Sequence, residues 1–217
     1  MTSNAIPQPD FPFAHADYRL APHTWYRVGG PADWALIPES RHGAIEAAEW
    51  VFQHDLPFLI LGGGTNVLIS DKGFRGVVLI VTELRELEEL EPDRYYGGAG
   101  LLLDKLVREV LLENNYQGVG ALAGIPGSVG GAIYMNAGTS NGSICEMLES
   151  VDLIRPSGLD RVPVTPASYA YRSQSFCESS DVILGGTFRF YKAETDQKAI
   201  YEHYLRRRKE NQPGGYC

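Results

Sequence analysis

Three consecutive glycines interrupt an apolar run near residue 60, and they constrain the fold more than any other stretch. Residues 58–61 are apolar and predict a buried strand, and residues 62–64 are the glycines. Because glycine has no Cβ, the backbone there can adopt positive φ and can lie close to another group. Such a turn can direct successive N–H groups at one anion, and Thr65 and Asn66 add a hydroxyl and an amide. We interpret residues 61–70 as strand, glycine turn, polar pair and strand, suited to a diphosphate; a hairpin without a ligand is the alternative.

A second glycine-rich segment covers residues 121–138. It holds five glycines, almost no charge, and small residues interleaved with larger apolar ones. A loop exposed to water normally carries charged and polar turn residues, so this composition predicts a buried but irregular segment. Its backbone N–H and C=O groups would then need partners, which a large cofactor rich in acceptors can supply. A tightly packed corner of a β-domain is the alternative.

Composition limits the classes of protein that fit. A chain of 217 residues is one large domain or two small ones, and 44% apolar with 21% charged residues is typical of a globular protein. A formal net charge of −8 argues against broad nucleic-acid binding, which depends on neutralising phosphates. The apolar runs are too short to span a bilayer, and the first 13 residues lack the features of a secretory signal. Three cysteines and five histidines without metal-ligand spacing favour a reducing compartment and no metal site.

The periodicity of apolar residues predicts alternating helices and strands. Helices are predicted over residues 41–54, 102–114 and 195–210. Strands are predicted over residues 57–61, 77–81 and 95–99, and residues 24–37 predict a pair of strands bent at Gly29-Gly30-Pro31. Residues 84–90 predict an exposed edge strand or an irregular crossing, and residues 151–155 and 161–164 predict a hairpin across Pro156-Ser157-Gly158. Residues 182–191 predict a long strand broken at Gly185-Gly186. The basic run 206–209 falls at a helix C-terminus, where cations complement the helix dipole, and part of it can also face an anionic ligand.

Several ordered motifs together resemble one enzyme family. Gly-Gly-Gly-Thr-Asn begins at residue 62, Gly-Ile-Pro-Gly-Ser-Val-Gly-Gly begins at 124, and Tyr-Arg stands at 171–172. With the blocks at 24–33, 73–78 and 135–138, they are similar to those of UDP-N-acetylenolpyruvoylglucosamine reductases and occur in the same order. A single glycine block would be weak evidence, whereas this ordered set is specific.

The resemblance implies an α+β fold of the vanillyl-alcohol-oxidase (PCMH) type, in two parts that bind FAD between them. It places a leader at residues 1–19, a small β-α-β subdomain at 20–70 and a larger sheet-based subdomain at 71–213. Residues 214–217 would begin a C-terminal domain. In such a fold both glycine segments contact one diphosphate, so we expect them within about 15 Å of each other.

The resemblance also implies a reaction. NADPH would reduce non-covalently bound FAD, and the flavin would pass hydride to UDP-N-acetylglucosamine enolpyruvate, giving UDP-N-acetylmuramate for peptidoglycan synthesis. It further implies a cytoplasmic monomer that acts on a small nucleotide sugar, without nucleic-acid or membrane partners. A non-catalytic FAD-binding module and another flavoprotein of the same fold, such as an oxidase, are the alternatives.

The resemblance also assigns individual residues to a cofactor site and a substrate site. The cofactor-binding residues implied are Gly62, Gly63, Gly64, Thr65, Asn66, Gly124, Ile125, Pro126, Gly127, Ser128, Gly130, Gly131, Asn136, Ala137 and Gly138. Arg172 would stabilise negative charge on the substrate carboxylate and enolate, with Tyr171 beside it, because guanidinium binds a carboxylate through two bonds. A structural ion pair is the alternative role for Arg172.

One catalytic group of the family has no counterpart among the 217 residues. The family's proton-donating serine and a supporting glutamate would follow the region of Pro213, where this sequence ends four residues later. We therefore expect the chain alone to be a poor reductase, since a positioned acid contributes roughly 10² to 10⁴ in rate. A fragment, a truncated protein and one half of a two-chain enzyme all fit this expectation.

Overall fold

A computed structural model describes residues 6–211, which form two sheets flanked by helices. The longer strands are β1 (Ala14–Arg19), β2 (Pro31–Leu36), β3 (Phe58–Leu61), β4 (Phe74–Ile80), β5 (Leu87–Glu91), β6 (Arg94–Gly98), β9 (Leu148–Arg155), β10 (Gly158–Pro163) and β13 (Val182–Arg189). Two-residue strands form the small hairpins β7 (Gly138–Thr139) with β8 (Gly142–Ser143), and β11 (Tyr169–Ala170) with β12 (Ser173–Gln174). The helices are α1 (Arg41–Gln53), α2 (Leu103–Leu106), α3 (Val119–Leu122), α4 (Val129–Tyr134) and α5 (Gln197–Asn211).

The first sheet has four strands in the order β1-β2-β4-β3. Strands β2 and β3 both run parallel to β4, and α1 connects them, so the predicted β-α-β unit is confirmed. Helix α1 begins where Ser40 accepts a hydrogen bond from the N–H of Gly43 at 3.1 Å, a cap that contributes about 1 kcal/mol. The glycine turn therefore leaves the carboxyl end of a parallel strand, where α/β units commonly bind ligands.

The three prolines and few periodic apolar residues of residues 1–16 predict a loose leader, which is wrong for residues 14–16 because strand β1 begins at Ala14. The strand pairs antiparallel with β2, with Ala14 opposite Leu36. Its side chains are exposed or only half-buried on both faces, so the sequence lacks the alternation that identifies a strand. Strand β4 lies beyond residue 70 and pairs with β2 and β3, while the division into subdomains at that residue stays a prediction.

The second sheet has five antiparallel strands in the order β10-β9-β13-β6-β5. The predicted hairpin is confirmed as β9 and β10, and the acidic segment predicted at an edge is the edge strand β5. The predicted break at Gly185-Gly186 is wrong, because β13 continues through both glycines and carries only a register shift between Ile183 and Gly185, which marks a bulge. The main core is shared by both sheets: buried residues of β2, β4 and α1 belong to one cluster with those of β9 and β13.

Four local predictions differ from the structure. The predicted pair of strands over residues 24–37 is a single strand, β2, because residues 24–30 form turns and irregular backbone. Residues 67–70 are irregular rather than a strand, and Leu68 is 77% exposed. The predicted helix over residues 102–114 is α2 continued by a π-helical turn, Val107–Leu112, although its predicted inward face is buried. The second glycine segment is not irregular throughout, because α3 and α4 form within it.

Residues 212–217 lie outside the described residues, and with them the predicted start of a C-terminal domain. Within residues 6–211, no helix combines the length and apolar character needed to cross a membrane. The same part of the chain brings together no group of three His, Cys, Asp or Glu side chains able to hold a metal ion.

Candidate cofactor and substrate site

The first glycine segment, residues 62–66, follows β3 as a tight turn fixed from one side. Gly64 adopts φ +65°, and its carbonyl oxygen accepts a hydrogen bond from the N–H of Trp25 at 3.0 Å. A Cβ at Gly64 would overlap the carbonyl oxygen of His23, so both the φ angle and the close approach require glycine. The turn therefore packs on one side against the loop that begins at residue 23.

Most backbone N–H groups of this segment have no acceptor in the protein. Within residues 6–211, the N–H groups of Gly62, Gly64, Thr65 and Asn66 form no hydrogen bond, and that of Gly63 reaches the hydroxyl of Ser128 at 3.3 Å. Backbone N–H groups are almost always paired in folded proteins, by water where they are exposed. Several unpaired donors in one turn form a concave anion-binding arrangement.

The second glycine segment, residues 121–138, touches the first. A Cβ built on Gly63 would lie 3.0 Å from the Cα of Gly127, and the hydroxyl of Thr65 donates to the carbonyl oxygen of Pro126 at 3.4 Å. Gly127 itself has φ +118°. The expectation that both segments lie within about 15 Å of each other is confirmed.

The second segment offers fewer free donors than the first. Gly131 is exposed, a Cβ there would meet only the Ser128 hydroxyl at 3.7 Å, and its N–H has no acceptor within residues 6–211. The N–H groups of Gly127 and Ser128 are likewise unpaired within that range. Together with residues 62–66, these three residues form what we call the cradle.

Other expected cofactor residues are occupied by the protein itself. The N–H of Gly130 donates to Ala99 at 2.9 Å, and a Cβ at Gly130 would lie 2.8 Å from that of Ala99. Gly138 packs on Ser143 in the small β7–β8 hairpin. Ile125 and Ala137 also donate their N–H groups to backbone carbonyls of their own segment. Packing, rather than an approaching ligand, is sufficient to explain the glycines at 130 and 138.

Asn136 also turns away from the cradle. It is 3% exposed, its Nδ2 donates to the carbonyl oxygen of Ala170 at 2.8 Å, and its Oδ1 accepts the N–H of Cys145 at 3.3 Å. This amide therefore joins the second glycine segment to the hairpin that carries Tyr171 and Arg172.

Arg172 occupies the turn of the β11–β12 hairpin with φ +55°. Its guanidinium lies 5.8 Å from the ring centroid of Tyr171, which is 88% exposed. Within the described residues, Arg172 forms no salt bridge, so the alternative of a structural ion pair has no support there. The hairpin is one wall of a cavity of about 320 Å³, which Asn136 and Glu146 also line.

Arg208 is a second cation at this site. A Cβ on Gly124 would lie 2.9 Å from the Cδ of Arg208, so its stem packs on the second glycine segment. Burial, and then the neighbouring guanidinium of Arg172, lower the pKa of Arg208. Sequence reasoning placed part of the basic run near an anionic ligand but did not select the residue; the contact of Arg208 with Gly124, which is distant in the sequence, selects it.

Exposed apolar side chains around the cradle were not assigned from sequence. Trp25, whose N–H is bound to Gly64, is 56% exposed. Leu102, which bridges to Ser128, is 58% exposed, and Tyr134 at the end of α4 is 41% exposed. Large apolar side chains near free N–H groups match the usual lining of a ligand site, which is mostly apolar with a few polar groups.

The comparisons with known proteins agree with this geometry. The model of the FAD-binding domain family matches residues 32–159, more than half of the chain. The chain belongs to the FAD-binding domain family.

Two proteins with similar sequences are UDP-N-acetylenolpyruvoylglucosamine reductases. That of Clostridium beijerinckii is 32% identical over 202 residues, covering 92% of this chain and 66% of the relative. That of Clostridium novyi is 35% identical over 196 residues, covering 89% and 63%. The resemblance stated from the motifs is confirmed, and the chain spans about two thirds of the length of these relatives.

Solved structures confirm the fold. A UDP-N-acetylenolpyruvylglucosamine reductase from Thermus caldophilus superposes with a TM-score of 0.71 at 27% identity, covering 92% of this chain and 70% of that one. A cholesterol oxidase from Brevibacterium sterolicum gives a TM-score of 0.57 at 15% identity over 87% and 40%, which shows shared fold alone. The predicted α+β FAD-binding fold is therefore confirmed for this member of the FAD-binding domain family.

Proposed function

We propose that the cradle holds the diphosphate of a non-covalently bound FAD. The observation that carries this proposal is the contact between two glycine segments whose N–H groups at residues 62, 64–66, 127, 128 and 131 are unpaired within the described residues. Backbone donors at a glycine turn suit a diphosphate, because no Cβ keeps the anion away. Neither segment contains a His or Cys to form a covalent link to flavin.

We propose further that the chain is the FAD-binding part of a UDP-N-acetylenolpyruvoylglucosamine reductase. Bound flavin supplies hydride, taken from NADPH, to the enolpyruvyl group of the nucleotide sugar. Arg172 binds the substrate carboxylate and stabilises the negative charge that builds on it, because its guanidinium is exposed and has no carboxylate partner within residues 6–211. Tyr171 lies beside that guanidinium and contributes to the substrate-binding surface.

Two exposed apolar side chains and one arginine have further roles in this proposal. The exposed Trp25 and Leu102 exclude water from the flavin, which strengthens every charge interaction in the site. Arg208 holds an anionic group next to Gly124, in the second glycine segment.

The remaining proposals are a cytoplasmic monomer without nucleic-acid or membrane partners, and the net charge of −8 supports the absence of nucleic acid. Light scattering of the purified protein tests the monomer.

A second candidate is an FAD-binding module with little reductase activity. The cradle by itself supports it, because cofactor binding at residues 62–66, 127, 128 and 131 requires no turnover of substrate. Both candidates share the cradle and differ only in turnover of the enolpyruvyl substrate.

The experiment separates cofactor binding from turnover. We expect purified protein to be yellow and to release FAD on heating; colourless protein that takes up no added FAD would contradict the proposed cofactor. FAD-loaded protein is then mixed anaerobically with NADPH, and after flavin bleaching with UDP-N-acetylglucosamine enolpyruvate. Flavin reoxidation by the substrate supports the reductase, and bleaching without reoxidation supports the binding module.

Matched glycine variants test the cradle. We expect Gly131→Val to weaken FAD binding about tenfold or more, because its side chain enters open space where the cofactor would lie. Gly130→Val is the control: a Cβ there meets Ala99, so it should lower the free energy of unfolding by about 1–3 kcal/mol. Equal FAD affinity in wild type and Gly131→Val would remove Gly131 from the cofactor site.

A further inference from the structure

Asn136 stands between the cradle and Arg172. Helix α4 runs from Val129, next to the cradle, to Tyr134, and Asn136 follows two residues later with φ +41°. Its side chain is 3% exposed, and both polar atoms bind backbone groups of other segments. The amide is thus placed to transmit the position of α4 rather than to contact a ligand.

The hairpin that Asn136 holds has little support of its own at its tip. Strands β11 and β12 have two residues each, and the two turn residues between them are exposed. The base of the hairpin is held by the N–H of Ser175, which donates to Ser168 at 2.9 Å, and by Arg155, which donates to Phe176 at 2.6 Å. The bond from Asn136 reaches Ala170, the residue immediately before the turn.

We propose that Asn136 is a positioning residue, which fixes Arg172 relative to the cofactor by binding the carbonyl of Ala170. The inference deepens the proposed function and rests on it for the role of Arg172. Helix α4 then carries Gly131, a cradle residue, near its start. Asn136, which binds the hairpin that carries Arg172, follows just after its end. A guanidinium held in this way meets the substrate carboxylate without a further ordering cost.

Asparagine suits this position for two reasons. Asn is among the few residues other than glycine that adopt positive φ readily. Its amide also donates and accepts at once, which a carboxylate cannot do when ionised.

Two variants of Asn136 separate its functions. Asn136→Asp keeps the shape and the acceptor but removes the donor at neutral pH, while Asn136→Gly keeps the backbone conformation and removes the whole amide. The matched control is Asn141→Asp, an exposed asparagine five residues away.

Limited trypsin digestion reads the hairpin directly, whether or not the chain has activity. Trypsin cleaves after Arg172 only when the hairpin opens, so the rate follows the population of the open form. Loss of the bond to Ala170 should raise that rate about tenfold in Asn136→Asp and Asn136→Gly, which corresponds to one hydrogen bond. Asn141→Asp should match wild type. An unchanged rate of cleavage after Arg172 in both Asn136 variants overturns the inference.

Binding and turnover then separate positioning from general loss of structure. We expect the affinity for FAD to stay within about twofold of wild type, while flavin reoxidation by the substrate slows about tenfold. In Asn136→Asp the reoxidation rate should recover as the pH falls, because a protonated acid donates to Ala170 again; Asn136→Gly should show no recovery. A parallel loss of FAD affinity overturns the inference in favour of a structural role. If wild-type protein binds FAD but never reacts with substrate, the proposed reductase fails, and cleavage after Arg172 alone decides the inference.

Discussion

Arginines that bind the carboxylates of the five-stranded sheet and arginines near the second glycine segment have different surroundings. On strand β9, the buried Asp152 lies between two of them: Arg41 is 2.8 Å away and Arg161 is 2.6 Å away. Also on β9, Glu149 meets Arg94 at 2.6 Å and Arg189 at 3.2 Å. Within the described residues, Arg172 and Arg208 form no salt bridge, and the charge of Arg172 acts on Arg208.

The difference separates charges that hold the fold from charges available to a ligand. Burial acts to raise the pKa of Asp152, but Arg161 and Arg41 outweigh it and lower that pKa. At the cradle, burial and Arg172 instead lower the pKa of Arg208, so the folded protein does not stabilise its cation. An anion placed between Arg172 and Arg208 would remove this repulsion, and the unpaired N–H groups of the cradle favour the same sign of ligand. Anion binding is therefore expected at the cradle and not on the sheet.

The largest effect should come from Arg172→Ala. We expect flavin reoxidation by the enolpyruvyl substrate to slow by about 10² to 10³, roughly 3–4 kcal/mol, the usual loss for one charge-stabilising donor. The free energy of unfolding should stay within about 0.5 kcal/mol, since the side chain is exposed and has no ionic partner in the described chain. Stopped-flow absorbance and a denaturant titration measure the two quantities. Unchanged reoxidation would take Arg172 out of the reaction, and a large loss of stability would place it with the sheet arginines.

Asp152→Asn should give the opposite result. Asp152 is 3% exposed, whereas Arg41 and Arg161 are 33% and 64% exposed, so its loss leaves charges that water partly solvates, and we expect a loss of about 2 kcal/mol in the free energy of unfolding. The affinity for FAD in the folded protein should not change. Urea denaturation and FAD titration test this pair of outcomes; a loss below about 1 kcal/mol would show that the two arginines are solvated well enough without Asp152.

The pH dependence of stability sharpens the same contrast. The folded-state pKa values of Asp152 and Glu149 lie below their ordinary values, the latter because Arg94 and Arg189 outweigh burial. Such groups contribute stability above the unfolded pKa, about 4, and the contribution is lost as the pH falls toward the folded pKa. We expect the urea concentration at the midpoint of unfolding to decrease as the pH is lowered below about 4. The decrease should be smaller in Asp152→Asn. An equal acid response in both proteins would place the titrating groups elsewhere.

Arg208→Ala should have the smallest of these effects. Loss of one charge-assisted hydrogen bond to an anion corresponds to about 1.5 kcal/mol, so FAD affinity should fall about tenfold. Arg207→Ala is the matched control on the same helix, because Arg207 is exposed whereas Arg208 is half-buried against Gly124. Fluorescence titration of FAD compares the two. Equal affinities would mean that Arg208 serves the packing of α5 on the glycine segment instead.

The local elements followed from the sequence because their signals are local. The apolar run, three glycines and polar pair at residues 58–66 predicted the turn after β3, and alternation around a Pro-Ser-Gly turn predicted the β9–β10 hairpin. Strand β1 was missed, since a strand exposed on both faces has no period-2 pattern. The π-helical turn at Val107–Leu112 was missed as well, because its apolar face fits an α-helix equally.

The sequence by itself determined the FAD-binding fold, the glycine segments and Arg172, since glycine turns and ordered motifs depend on residues close in the chain. Only the tertiary structure decided which of those residues are occupied by other parts of the protein and which have unpaired groups within the described residues. It buried Gly130 on Ala99, turned Asn136 toward Ala170 and selected Arg208 from a run of four cations. Each outcome depends on a neighbour at least 31 residues away in the sequence, Gly130 from Ala99 being the nearest pair. The pattern around one residue does not specify such a neighbour, because packing between segments fixes it.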